Sequence, residues 1–171
     1  MTTISSDLIL RAEEAGLRLE LINGLTVWET FPSARHQKSV YRIQQSIRKI
    51  EQSIKPSADD TACGCYHYSD IYIQFPDGSL KRPDISIFCH DDIEQDEAVT
   101  SIPAAVIEIV SRGYEAKDMD LAPRFYLAQG VKDVIIFDPS TLQVLHHRRD
   151  GIRRLLSPVM LRLECMCEVE V

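Results

Sequence analysis

Two carboxylates lie in short apolar segments of this chain, where burial would normally exclude them. The segments are Arg82-Pro83-Asp84-Ile85-Ser86-Ile87-Phe88 and Ala104-Ala105-Val106-Ile107-Glu108-Ile109-Val110-Ser111. Both are rich in β-branched residues and therefore predict buried strands. A buried carboxylate without a partner costs roughly several kcal/mol, so it normally comes with a cation, hydrogen-bond donors or a proton. If the two strands are neighbours, Asp84 and Glu108 predict one shared cation.

The chemistry that fits two carboxylates is that of a hard divalent ion. Mg²⁺ prefers oxygen ligands in near-octahedral geometry and keeps several of its waters, so two carboxylates and a backbone carbonyl suffice. Such an ion polarises a phosphoryl oxygen and lowers the pKa of a bound water, which then attacks in line. The alternative is structural: Asp84 would lie in a turn after Pro83, and Glu108 would face solvent on an edge strand.

Length, charge and cysteine content limit the class of protein. The 171 residues, 44% hydrophobic and 26% charged, fit one soluble domain over residues 1–171. The net charge of −7 argues against binding nucleic acid through bulk electrostatics, although it allows a local basic groove. No apolar run approaches the ~20 residues that span a bilayer, and the first seven residues do not resemble a signal peptide. The five cysteines then predict reduced thiols in the cytoplasm.

Local patterns in the first half predict two helices, a hairpin and a strand. Residues 5–15 form a helix that ends before a glycine. Asn23-Gly24 between two alternating runs indicates a hairpin, because both residues tolerate positive φ. Apolar residues at steps of three and four predict a long helix from residue 33 to about 54. Residues 66–75 alternate loosely and predict a strand that ends at the turn of residues 76–79.

The second half predicts further strands around one helix. The acidic segment of residues 91–97 is typical of a solvated loop. Helical spacing over residues 117–129 requires Pro123 to lie in the first turn or to kink the helix. A buried strand follows at 131–137, then a hairpin formed by 142–148 and 152–156, and a tail with one short strand. The elements predict one α/β or α+β domain with a mixed sheet.

The order of several short motifs resembles that of one protein family. A Glu-bearing strand beside Asn-Gly, a His at a helix start, Arg-Pro-Asp, Glu-Ile-Val-Ser, Tyr-Leu-Ala-Gln-Gly-Val and Ile-Phe-Asp-Pro follow one another from about residue 8 to 158. In this order they are similar to the Uma-two family of endonucleases, within the PD-(D/E)xK, restriction-endonuclease-like superfamily. The resemblance implies a central mixed β-sheet flanked by helices. It also implies Mg²⁺- or Mn²⁺-dependent hydrolysis of DNA phosphodiester bonds and, by analogy with the superfamily, a homodimer.

The resemblance assigns roles to particular residues. Asp84 and Glu108 would hold the metal ion, with the carbonyl of Ile109 as a further ligand. Glu20 resembles an additional acidic residue near the site, and His36 stands where the family tends to carry a His at the start of its long helix. Each has a structural alternative, since Glu20 could face solvent on its hairpin and His36 could lie at the surface.

The expected catalytic lysine is absent. In the simplest pattern it would stand two residues after Glu108, where this chain has Val110. The resemblance implies that the family's lysine lies on the next helix, at a position that is Ala122 here. A fold that has lost hydrolysis and serves as a binding or regulatory module is therefore the alternative function.

Two nearby cations are candidates to replace this lysine. Lys117 lies near the start of the helix and is predicted to help position the attacking water. Arg124 is too basic to accept a proton and fits only the clamping of a phosphate. The structural alternative is that both are ordinary surface cations.

Three other clusters offer weaker hypotheses. Cys63-Gly64-Cys65 and Cys165-Met166-Cys167, with nearby histidines, could assemble a zinc site, but their spacing is shorter than structural zinc usually uses and favours free thiols. The basic hairpin of residues 147–154 could dock phosphate or be a solvated turn. The acidic segment of residues 91–97 could recruit protein partners, although no specific motif supports that function.

Overall fold

The structure is a computed structural model that describes residues 6–29, 31–51, 63–91, 93, 98–111 and 117–171. Its elements, in chain order, are α1 (Ser6–Glu14), β1 (Leu19–Ile22), β2 (Leu25–Trp28), α2 (Ala34–Ser46), β3 (Arg48–Lys49), β4 (Tyr66–Tyr68), β5 (Ile73–Gln74), β6 (Leu80–Lys81), β7 (Ile85–Phe88), β8 (Ala105–Ile109), a π-helix (Lys117–Leu121), α3 (Ala122–Ala128), β9 (Asp133–Asp138), β10 (Gln143–Arg148), β11 (Gly151–Leu156), β12 (Met160–Arg162) and β13 (Cys167–Glu170). None of the described helices is long and apolar enough to cross a membrane.

A six-stranded mixed sheet forms the centre of the fold, as the sequence predicts. Its strand order is β11-β10-β9-β8-β7-β4, and β8 pairs in parallel with β9 while the other neighbours are antiparallel. Every residue of β7 and β8 is buried. Alternate side chains of β8 enter two cores, with Ile107 packed on the face that α2 covers and Val106 on the face that α3 covers. The two carboxylates thus belong to neighbouring, buried strands.

A smaller sheet lies beside the central one and carries two further charged residues. Its order is β2-β1-β6-β5, which places Glu20 of β1 and Lys81 of β6 in the same sheet. The predicted hairpin is confirmed, with Asn23 at φ 49° and Gly24 at φ 79° between β1 and β2. The turn demands positive φ at both positions, which explains the Asn-Gly pair.

The second helix is shorter than its apolar periodicity predicts. It ends at Ser46, and residues 48 and 49 form β3 on the edge of a third sheet with β12 and β13. The pairing of Lys49 with Cys167, 118 positions later in the chain, is a tertiary contact that overrides helical spacing. Residues 52–54 of the predicted helix lie outside the described part of the chain.

The predicted strand of residues 66–75 is divided between two sheets. β4 pairs with β7 in the central sheet, whereas β5 pairs with β6 in the smaller one. Between them Asp70 has a φ of 60°, and its carboxylate accepts hydrogen bonds from Arg18 and Arg82. The hydrogen bonds from these two arginines stabilise the bend between β4 and β5. The loose alternation of apolar residues in the sequence does not predict this bend.

Three other predictions meet the structure with different outcomes. The helix over 117–129 divides into the π-helix and α3, with Pro123 in the first turn of α3 as expected. The tail forms two strands, β12 and β13, where one short strand was predicted. Most of the acidic segment, residues 92 and 94–97, lies outside the described residues.

The prediction of reduced cysteines is wrong for four of the five. Cys63 is bonded to Cys89 and Cys65 to Cys167, while Cys165 is a free thiol. The partners are separated by 26 and 102 residues, so the folded sheets bring them together and no local pattern predicts the pairing.

Candidate functional site

Asp84 and Glu108 lie side by side at the ends of two paired strands. Asp84 immediately precedes β7, Glu108 lies on β8, and Ile85 of β7 is opposite Ile107 of β8. Two hydrogen bonds link Asp84 to β8: the Asp84 amide donates to Glu108 Oε2 at 3.2 Å, and the Ile109 amide donates to Asp84 Oδ2 at 2.7 Å. The structural alternative, with Glu108 exposed on an edge strand, is wrong because Glu108 is buried and β8 lies inside the sheet.

A buried lysine lies between two of the carboxylates. Lys81 is 1% exposed, and its Nζ is 3.2 Å from Glu20 Oε2 and 3.9 Å from Glu108 Oε1. Glu20 is equally buried, and its other oxygen accepts from the Arg82 amide at 2.9 Å. The alternative in which Glu20 faces solvent is therefore wrong. Lys81 provides the positive charge that two buried carboxylates require.

Two aromatic rings of α3 enclose the ammonium group. Lys81 Nζ lies 4.9 Å from the ring centroid of Tyr126 and 5.8 Å from that of Phe125. The Tyr126 hydroxyl donates to Glu108 Oε1 at 2.6 Å. Burial and the neighbouring Glu108 carboxylate raise the pKa of Tyr126 well above its ordinary value, so this hydroxyl stays protonated as a donor. α3 thereby fixes the orientation of Glu108.

His36 reaches the same site from α2. Its Nε2 is 3.0 Å from Asp84 Oδ2, and its side chain is largely buried. Ser33 caps the helix by accepting a hydrogen bond from the His36 amide at 3.2 Å, which positions the first turn. The alternative in which His36 lies at the surface is wrong. The histidine at the start of the helix instead contacts Asp84.

The other predicted site residues have different outcomes. The amide of Ile109 donates a hydrogen bond to Asp84. The role of its carbonyl as a metal ligand stays a prediction. Val110 and Ala122, the two positions without lysine, are buried in the core on the α3 face. Lys117 begins the π-helix that leads into α3, but its side chain lies outside the described residues.

A surface depression borders the site at Lys81, although Asp84 and Glu108 do not line it. It has a volume of about 400 Å³ and lies between the β1–β2 hairpin and α3. Lys81 contributes to its wall, and the exposed Arg124 lines it as well. Arg124 is thus a cation beside the depression, in a position that fits its predicted contact with phosphate.

A known family matches almost all of this chain. The profile of the Uma2 family, described as "putative restriction endonuclease", matches residues 6–164. The chain belongs to the Uma2 family. This confirms the family predicted from the motif order.

One solved structure supports the fold independently. It is described as a "putative nuclease belonging to DUF820" from Anabaena variabilis ATCC 29413 and superposes with a TM-score of 0.66 at 18% identity. The alignment covers 95% of this chain and 90% of that one. At this identity the likeness concerns the fold, and it agrees with the predicted mixed sheet flanked by helices. No curated protein matches the chain.

Sequence reasoning missed two residues of this Uma2 site, Lys81 and Tyr126. Lys81 directly precedes the Arg82-Pro83-Asp84 motif, whereas the superfamily pattern places its lysine after the second carboxylate, Glu108. The signal was available, since a lysine adjoining a predicted buried strand requires a carboxylate partner. Tyr126 lies within the helical spacing of residues 117–129, and only the tertiary structure shows its hydroxyl on Glu108.

The donor set fits a hard divalent cation. Within the described residues, the contacts of the Asp84 carboxylate involve Oδ2, so Oδ1 is available to a cation. Each oxygen of a carboxylate has two lone pairs, and Glu108 can therefore bind an ion while it accepts its hydrogen bonds. In the described part of the chain, the groups of three or more close ligand side chains consist of cysteines. A carboxylate pair without a third side-chain ligand suits Mg²⁺ or Mn²⁺, because such ions retain several waters.

Proposed function

We propose that this chain is a metal-dependent endonuclease that hydrolyses DNA phosphodiester bonds with Mg²⁺ or Mn²⁺. Asp84 and Glu108 are the proposed metal ligands, together with the carbonyl of Ile109. Glu20 and a lysine complete the site. The observation that carries the proposal is the pairing of Asp84 with Glu108 beside the buried Lys81.

The chain's own residues hold the two carboxylates in place. Tyr126 and Lys81 act on Glu108 from the α3 side, while the Ile109 amide holds Asp84 from β8. Such supporting contacts orient metal ligands and raise their affinity for the ion. A bound Mg²⁺ would polarise the phosphoryl oxygen and lower the pKa of the attacking water.

Lys81 is the proposed replacement for the lysine that the superfamily places after the second carboxylate. Its Nζ is close to Glu108, so its charge would lie beside the phosphate oxygens of a substrate bound there. Lys117 stays a second candidate for positioning the water, because the π-helix that it begins leads directly to α3. His36, beside Asp84, is placed to exchange a proton with groups at the metal.

DNA is the proposed substrate because the family description concerns restriction endonucleases. The net charge of −7 leaves local cations to attract the phosphate backbone. Arg124 beside the depression is one such cation, and its guanidinium is suited to clamp a phosphate. A homodimer remains part of the proposal by analogy with the superfamily.

One observation favours a second function, DNA binding without hydrolysis. Lys81 is 1% exposed and paired with Glu20 at 3.2 Å, which is also what a purely structural ion pair would show. In that case the site would keep its metal and lose the cation that assists the reaction. The fold would then act as a binding or regulatory module.

Cleavage of supercoiled plasmid and of linear oligonucleotides tests the first function. Wild-type protein should convert plasmid to nicked and linear forms with Mg²⁺ or Mn²⁺, and not with EDTA. Asp84→Asn keeps the size of the side chain and removes the ligand charge, so it should abolish cleavage. Asp150→Asn, in the exposed turn between β10 and β11, is the matched control and should cleave as the wild type does.

The same preparations separate the two functions. Retention of labelled DNA in Ca²⁺ without any cleavage in Mg²⁺ or Mn²⁺ would support the binding module. Cleavage by Asp84→Asn at the wild-type rate would instead show that the activity does not come from this site. Comparison of Lys81→Met with Lys117→Met, both under saturating metal, identifies which lysine contributes to hydrolysis.

A further inference from the structure

The sulfurs of all five cysteines lie in one cluster, although the cysteines come from three distant parts of the sequence. The sulfurs of Cys63, Cys65 and Cys167 lie within 4.8 Å of one another, and so do those of Cys63, Cys89 and Cys165. Cys63 belongs to both groups and is therefore the centre of the cluster. Pairing into two disulfides needs four sulfurs, yet the fold brings a fifth, Cys165, to the same centre.

Two short segments, residues 63–65 and 165–167, supply four of these sulfurs. Each carries a Cys-x-Cys pair, and each contains a residue with positive φ, Cys65 at 57° and Met166 at 65°. Neither pair lies wholly on a regular strand, so the two thiols of a pair are not held in the fixed directions of an extended strand. At Gly64 an added Cβ would meet the Tyr66 ring, so a larger residue there requires that exposed side chain to move.

We propose that the reduced chain binds one Zn²⁺ ion through the two Cys-x-Cys pairs, Cys63, Cys65, Cys165 and Cys167. Cys89 is then the spare thiol. The site is separate from the carboxylates and does not depend on the proposed nuclease activity. Four thiolates in a partly apolar surrounding are the ligands that select Zn²⁺, whereas the oxygen ligands of Asp84 and Glu108 suit Mg²⁺.

The sulfur positions already approach those of a tetrahedral zinc site. Zn–S bonds of about 2.3 Å in a tetrahedron place sulfurs about 3.8 Å apart. The sulfurs of Cys63 and Cys167, one from each Cys-x-Cys pair, are 3.7 Å apart. The sulfur of Cys165 lies within 4.8 Å of that of Cys63, and the Cys165 side chain must move to complete the set. Cys63, Cys65 and Cys167 are buried, as the ligands of a structural metal usually are.

The conversion from the disulfide form balances in electrons and protons. Each of the two disulfides takes two electrons and two protons from a dithiol reductant, which becomes a cyclic disulfide. The products are four thiols, in addition to the Cys165 thiol that is already free. Binding of Zn²⁺ then displaces the protons of the four ligands, and Cys89 keeps its own.

Metal content and cobalt spectra of the full chain test the proposal. The chain is reduced with a dithiol, freed of reductant without oxygen, and supplied with Zn²⁺ or Co²⁺. We expect one equivalent of zinc per chain. With cobalt we expect the sulfur-to-metal charge-transfer band and the intense visible bands of a tetrahedral tetrathiolate complex. A spectrum without thiolate charge transfer would overturn the proposal, as would a reduced chain that retains no zinc.

Two matched variants separate ligation from loss of a disulfide. Cys63→Ser and Cys89→Ser remove the same disulfide, but only Cys63 is a proposed ligand. Cys89→Ser should keep the tetrathiolate cobalt spectrum, whereas Cys63→Ser should lose it and Cys165→Ser should weaken it. If Cys63→Ser fails to fold, the spectra of the wild type and Cys89→Ser still decide. Loss of the spectrum in Cys89→Ser with retention in Cys165→Ser would overturn the ligand assignment.

Discussion

The two ends of strand β7 carry two different kinds of chemistry. Asp84 precedes the strand and belongs to a site of oxygen ligands with a buried lysine, while Cys89 follows the strand and belongs to the cysteine cluster. At the first end, buried charges pair with one another and join neighbouring strands. At the second end, disulfide bonds join distant segments of the chain. One short buried strand therefore connects a site suited to a hard ion with a site suited to a soft one.

Buried charges and disulfides place different requirements on the surrounding strands. Buried charges must be paired accurately, which explains why Lys81, Glu20 and Glu108 come from three different strands of two sheets. The disulfides need a suitable local geometry of each cysteine pair but no pairing of charges, and they stabilise the fold by limiting the unfolded chain. Removing the disulfides at one end or the charges at the other tests this difference.

The largest effect is expected from reducing the cysteine cluster. The Cys65–Cys167 disulfide spans 102 residues, and a cross-link of that length stabilises by roughly 4–5 kcal/mol through the entropy of the unfolded chain. A dithiol with a chelator should lower the free energy of unfolding in urea by that order. Zn²⁺ added to the reduced chain should restore part of the loss. A loss below about 1 kcal/mol would show that the disulfides do not hold this end together.

The buried lysine should have the next largest effect. Lys81→Met keeps the apolar stem and removes the charge, which leaves Glu20 without its ammonium partner. Breaking a buried ion pair from one side costs about 3–5 kcal/mol, measurable by urea unfolding. Lys38→Met, on the exposed face of α2, is the matched control and should cost little. Equal stability of the two variants would contradict the role assigned to Lys81.

A smaller effect is expected from the hydroxyl that orients Glu108. Tyr126→Phe keeps the ring over Lys81 and removes the hydrogen bond to Glu108 Oε1. Loss of such a supporting contact typically weakens metal affinity by about 10–100-fold, which a Mn²⁺ titration measures. Tyr41→Phe, on an exposed position of α2, should leave the affinity unchanged. If both variants bind Mn²⁺ like the wild type, Tyr126 does not support a metal ligand.

Local sequence signals predicted the first end of β7 well. Burial of a carboxylate in a β-branched run pointed to Asp84 and Glu108, and the Asn-Gly turn placed Glu20 on its hairpin. These signals are short-range, because each depends on a residue and its immediate neighbours. The pairing of the two strands then follows from their common burial.

What the sequence did not predict depends on contacts between distant segments. Lys81 became a site residue because β6 joins β1 in a second sheet. Cys65 and Cys167 paired because β13 lies beside β3 and next to the segment that precedes β4. Neither arrangement leaves a periodic pattern in the chain. The shortened α2 has the same cause, since Arg48 and Lys49 pair with β13 in place of continuing the helix.

Calorimetric titration with Mn²⁺ tests the central claim, a divalent-metal site at Asp84 and Glu108, most directly. Wild-type protein and the Asp150→Asn control should each show saturable binding of one ion, because both keep the two carboxylates. Asp84→Asn should show no saturable binding while unfolding at a similar urea concentration, since the change removes a ligand and not core volume. Equal binding by Asp84→Asn, or no binding by the wild type, would contradict the metal site and leave the nuclease fold without its proposed chemistry.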